Sequence, residues 1–88
     1  MKIGKDFMLC TVAGENVVVP VGEASAKLKG VIKLNESGGI LWNLLADGAD
    51  LDKLATGLIA YYGISQKEAK QDVSDFLDTL RKAGCLEE

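Results

Sequence analysis

The 88-residue sequence contains no histidine. That removes the commonest general base, the Ser–His and Cys–His nucleophile pairs, and the imidazole ligands of mixed zinc sites. Its two cysteines, Cys10 and Cys85, lie almost the whole chain apart with no CxxC spacing. They are expected to be separate buried thiols acting as small apolar side chains. A nucleophilic thiolate needs a nearby cation or a helix N-terminus. Cys10 falls instead in an apolar strand, and Cys85 follows a helix C-terminus, where the macrodipole disfavours negative charge. No apolar run approaches the roughly 20 residues that span a bilayer, and Phe7 to Val12 is too short for the core of a signal peptide. A cytoplasmic setting with reduced thiols is the expectation. Positive charge is also scarce: 10 Lys and Arg stand against 13 Asp and Glu, a net charge of -3. Phosphate backbones therefore meet no attractive field, and neither nucleic acid nor membrane is an expected partner.

What remains is an ordinary globular balance, 48% hydrophobic and 26% charged, in a chain long enough for one core. Residues 1–88 are expected to form one domain. Phe7 to Val12 and Val17 to Val21 are rich in β-branched and apolar residues, and Ala13, Gly14, Glu15 and Asn16 between them are turn formers, which predicts a hairpin over 7–21. Pro20, the single proline, lacks a backbone donor and marks the end of the second strand or its solvent-facing edge. Gly22 to Gly30 reads as an exposed connection. Val31 to Leu34 then resumes the β pattern, with Val31 and Lys33 on one face and Ile32 and Leu34 on the other.

Helical signals fill the rest. Asn35 or Ser37 can cap a first helix over about 37–46, where Ile40, Leu41, Leu44 and Leu45 recur at helical spacing. Asp50 opens a second over 50–62, with an apolar stripe of Leu51, Leu54, Leu58, Ile59 and Tyr62 that stops at Gly63. Ser65 and Glu68 form a capping-box pattern for a third over 65–83, whose apolar set is Ala69, Val73, Phe76, Leu77 and Leu80. The fold class is α+β: a three-stranded antiparallel sheet followed by three helices, resembling a winged helix with its β part moved forward.

Chemistry-bearing patterns are thin. Asp72, Asp75 and Asp78 drift around the third helix as a solvated face does, so no metal and no cofactor is expected. Gly38-Gly39 lacks the flanking residues of a phosphate loop and reads as a helix-packing feature. Trp42 and Phe76 read as core; Tyr62 continues the apolar stripe, leaving only Tyr61 as an aromatic surface contact. Binding is left, and an uncovered sheet edge is a template for an added peptide strand. Lys33 either guards that edge or contacts an acidic peptide.

The segments V-V-V-P-V-G-E-A, G-V-I-K-L-N-E-S-G-G-I-L-W-N-L-L and D-V-S-D-F-L-D-T-L-R-K-A-G-C-L together resemble the PqqD-like family, over Phe7 to Leu86. The resemblance implies a RiPP recognition element, a non-catalytic domain that binds the leader of a ribosomally made precursor and presents it to a separate modifying enzyme, a radical SAM enzyme or another peptide modifier. It further implies that the leader adds as a strand to Val31, Ile32, Lys33 and Leu34, against a helix wall of Val73, Phe76, Leu77 and Leu80. The alternatives are a winged-helix DNA-binding regulator and a structural protein-interaction subunit. A homodimer through the exposed edge or a swapped hairpin is also open.

Overall fold

The computed structural model describes residues 2–4, 6–22 and 32–87. Four strands, β1 (Lys2–Ile3), β2 (Phe7–Val12), β3 (Glu15–Pro20) and β4 (Ile32–Leu34), precede the helices α1 (Glu36–Ala46), α2 (Leu51–Tyr62) and α3 (Gln66–Ala83), and β5 (Leu86–Glu87) closes the chain. The expected antiparallel sheet is present in the order β2-β3-β4 and is followed by the three helices. Val31, expected to start the third strand, lies outside the described residues. Two strands go beyond the expected elements: β1 and β5 pair antiparallel, Lys2 opposite Glu87 and Ile3 opposite Leu86.

The hairpin is tighter than expected. Only Ala13 and Gly14 make the turn, both at positive φ, 52° and 80°, while Glu15 and Asn16 pair with Val12 and Thr11. Two successive positive φ values define the type I′ turn, whose twist matches that of the flanking strands. Such a turn makes its flanking residues, Val12 and Glu15, a hydrogen-bonded pair, and the alternation of an antiparallel ladder then sets the phase of every later pair. Beyond the strand ends Val21 N–H donates to the Asp6 carbonyl at 2.7 Å, which is the same phase. Val17 and Val19 therefore turn their peptide groups toward β2, and Asn16 and Val18 turn theirs toward β4. Pro20 falls in the phase of Asn16 and Val18, so its missing N–H takes nothing from the β2 ladder.

The helices pack on one face of this sheet. Val18, Leu41, Leu45, Leu54, Leu58 and Leu80 are completely or almost completely buried, with Trp42 and Phe76 among them; Leu9, Ile32 and Leu34 close the core from the sheet side. The helix starts follow the short polar residues. Asn35 Oδ1 accepts from Gly38 N–H, Asp50 Oδ1 from Lys53 N–H and Ser65 Oγ from Glu68 N–H. Ser37 is not a cap; its hydroxyl donates to Asn35. At Ser65 the reciprocal contact of Glu68 is with the hydroxyl, at 3.3 Å, not with the backbone amide of a full capping box. Gly63 and Gly84 end α2 and α3 at φ 67° and 75°.

The stripe of α2 is narrower than the sequence suggested. Leu51 and Tyr62, its first and last residues, are 53% and 40% exposed: Leu51 sits at the mouth of a cleft against α3, and Tyr62 turns its hydroxyl to Glu36 at the surface. Cys85 is buried and Cys10 half-buried, both as free thiols.

Gly39 is what lets α1 sit down on the sheet. A Cβ there would stand 2.5 Å from Asn16 Nδ2 and 3.1 Å from its Cγ, so the bare backbone of the helix start leaves room for the Asn16 side chain of β3. Gly39→Val is expected to lower stability by about 1–3 kcal/mol, the usual result of forcing methyl groups into a packed contact. Chemical denaturation reads the change, and Asn16→Ala in the same chain should recover part of it.

Candidate functional site

The ladder phase decides what the edge of the sheet offers. Asn16 and Val18 are hydrogen-bonded to the residues opposite them on β4, Leu34 and Ile32. Lys33, opposite Val17, is a non-hydrogen-bonded position, so its N–H and C=O point away from β3. Among the described residues no strand pairs on that side, and the peptide group of Lys33 is open to an added strand. Its side chain lies on the sheet face opposite the helices, with Nζ 3.5 Å from Glu15 Oε2 and both side chains well exposed. An exposed pair of this kind adds at most about 1 kcal/mol to stability.

Beside this edge runs a cleft of about 490 Å³. Leu34, Leu41 and Phe76 supply its apolar surface, Asn35, Ser37 and Gly38 its α1 end, and Asp72, Asp75 and Thr79 its α3 wall. Local structure sets these positions. The Asn35 cap holds the start of α1 beside β4. Gly38 keeps the corner open, since a Cβ there would lie 3.1 Å from Leu34 Cβ. Gln71 Nε2 donates to Asp75 Oδ1 at 2.9 Å, which steadies one of the two carboxylates.

A second cleft, of about 560 Å³, shares Asn35, Ser37 and Asp72 with the first and adds Glu36, Tyr62 and Ile64. Tyr62 was expected in the core; it is instead a surface residue whose hydroxyl donates to Glu36 Oε1 at 2.7 Å, tying the end of α2 to the start of α1. That bond, with lesser help from desolvation and from the Glu36 charge, pushes the Tyr62 phenol up to about 12 from 10.0. The folded state thus holds the proton more tightly than the unfolded chain. The contact's contribution is complete below about pH 10 and is lost as pH rises toward 12. Ultraviolet titration of the phenols should show this high transition, and Glu36→Gln should bring it down toward 10, the ordinary phenol value. Tyr61 is 68% exposed, its ring 5.4 Å from that of Tyr62.

Of the residues expected to form the site, Lys33, Leu34 and Phe76 come together at the first cleft. Ile32 is half-buried in β4 and packs on the core. Val73 and Leu77 line a different cleft, between α2 and α3 with Leu51 and Ala55, and Leu80 is fully buried. Sequence reasoning missed Asp72, Asp75 and Thr79. With Phe76 they are spaced by three, one and three, one continuous helical face, a spacing that a solvated surface and a cleft wall share. Among the described residues no group of three or more potential ligands is placed to hold a metal, and no helix is long and apolar enough to cross a membrane.

The family model for coenzyme PQQ synthesis protein D (PqqD) matches residues 15–86. The chain belongs to the PqqD family. The match takes in β3, β4 and the three helices of the PqqD domain, and therefore both walls of the cleft. No curated protein matches the chain. Among solved structures it resembles TbiB1 in complex with the TbiA(beta) leader peptide, at a TM-score of 0.81 and 23% identity over 99% of this chain and 95% of that one. It also resembles lasso peptide synthetase B1 complexed with the leader peptide, at 0.79 and 16% identity over 99% and 96%. At these identities the likeness is one of fold, and it extends over nearly the whole of all three chains.

Proposed function

We propose that this PqqD-family protein is a non-catalytic carrier of a peptide: it binds the leader segment of a ribosomally made precursor as an added strand on β4 and presents it to a separate modifying enzyme. The observation that carries the reading is the outward peptide group of Lys33 beside the cleft. An added strand needs free backbone donors and acceptors on a sheet edge, and pockets for alternate side chains. Lys33 supplies the first and the surface of Leu34, Leu41 and Phe76 the second. The solved relatives, both described with a leader peptide, support the same use of the fold.

The experiment is a nuclear magnetic resonance titration with short precursor peptides encoded beside the gene, or with their leader halves. Shifts confined to the amides of 32–34 and to the cleft face of α3 are expected. Unchanged spectra for every such peptide would sink the reading. A winged-helix mode of DNA binding gains no support, because the outer face of α3 presents Asp72, Asp75 and Asp78 to solvent. A second copy of the chain is the other source of a strand, so self-association at high concentration should compete with the peptide.

A further inference from the structure

We infer that the edge reads charge with a period of two: it favours an acidic residue opposite Lys33 and rejects acidic residues at the two positions beside it. This rests on the strand-addition reading. It deepens that reading by specifying which peptide residue meets which charge.

Side chains alternate between the two faces of a sheet, for a parallel and an antiparallel added strand alike. The peptide residue opposite Lys33 must place its side chain on the face that Lys33 occupies. Directly opposed side chains on one face approach to about 5 Å. Across the sheet that face carries Val17 and Cys10 beside Lys33, with Glu15 on the diagonal at 3.5 Å from the ammonium. An Asp or Glu on the incoming strand would stand on the opposite side of Lys33 from Glu15, completing an acidic–basic–acidic row. A Lys or Arg there would face the ammonium directly.

The two flanking peptide residues point the other way, to the face of Ile32 and Leu34, and so into the cleft. That cleft is lined by Phe76 together with Asp72 and Asp75. Apolar side chains would cover Phe76 and Leu41, and basic ones would cover Phe76 with their stems and reach the carboxylates with their heads. Acidic ones would meet like charge. Lys33 guards the empty edge and selects its occupant by the same charge.

The test is selection of a displayed library of random short linear peptides on the immobilised full chain, followed by affinity measurements on the peptides recovered. Glu15→Lys with Lys33→Glu keeps the surface pair while reversing its sign; both residues are exposed, so the fold is retained. Lys33→Gln serves as a second variant. With the unaltered chain, one position should be enriched in Asp and Glu and both neighbours depleted of them. Changing that residue from Asp to Asn should weaken binding up to about fivefold, the size of a cross-strand charge pair. The exchanged variant should prefer Lys or Arg at the same position, and Lys33→Gln should show no preference. Peptides that shift the β4 amides but show no sign preference, or keep an acidic preference in the exchanged variant, would overturn the inference and leave strand addition standing. If no peptide shifts those amides, strand addition itself falls and the inference with it.

Discussion

Lys33→Pro is expected to abolish leader binding while the protein stays folded. Proline removes the N–H at position 33 and puts a ring where the incoming strand must sit. An edge donor lost from a sheet leaves the partner carbonyl unsatisfied, worth about 1–3 kcal/mol, and the ring blocks the neighbouring register as well. Affinity should fall by about 10- to 100-fold or more. The fold is spared because the Lys33 peptide group takes no part in the β3–β4 ladder, and proline is tolerated on an edge strand when its nitrogen faces outward. The contrast with its neighbours makes the experiment specific. Ile32→Pro and Leu34→Pro remove donors aimed at Val18 and Asn16, so these variants should lose the edge strand itself. Circular dichroism and a binding isotherm on the three variants separate the cases. Binding that survived Lys33→Pro would mean the peptide uses another surface.

Leu80→Ala should act in the opposite way, on stability and not on the peptide contact. Leu80 is fully buried near the end of α3, and Cys85 N–H donates to its carbonyl at 2.9 Å. Truncating a buried leucine typically lowers stability by about 2–5 kcal/mol through lost burial and the cavity left behind. For a domain of this size that is a fall in Tm of roughly 10 °C or more. Under conditions where the variant remains folded, its affinity for a leader should stay within about threefold of the parent, a difference of under 1 kcal/mol. Thermal unfolding and titration on the same sample test both halves. A large loss of affinity without loss of stability would return Leu80 to the binding surface.

These two residues also mark where the sequence was informative. Helix limits were legible because their causes are local: Asn35, Asp50 and Ser65 each reach an amide three residues on, and Gly63 and Gly84 take a left-handed conformation other residues resist. The three-stranded sheet and the burial of Trp42 and Phe76 followed from hydrophobic pattern. The β1–β5 pair did not, since strands of two residues carry no periodicity and their register joins opposite ends of the chain. Nor did the division of α3 into two faces. The stripe Val73, Phe76, Leu77 and Leu80 is apolar throughout, and only tertiary packing decides that Phe76 borders the cleft at β4 while Val73 and Leu77 face α2. The polarity of the edge needed the turn geometry: a four-residue turn over 13–16 would not have fixed the hydrogen-bond phase that turns the peptide group of Lys33 outward.

The pairing of β1 with β5 has a mechanical meaning. Lys2 lies opposite Glu87, Ile3 opposite Leu86, and Gly4 N–H reaches the Cys85 carbonyl at 2.8 Å. A load applied across the two ends would open this short zipper one rung at a time from its outer pair, a far weaker geometry than one that shears all rungs together. Behind the last rung sits the Cys85 thiol, fully covered and pushed up in pKa by that burial. A thiol reagent would therefore sense the first yielding of the protein under tension.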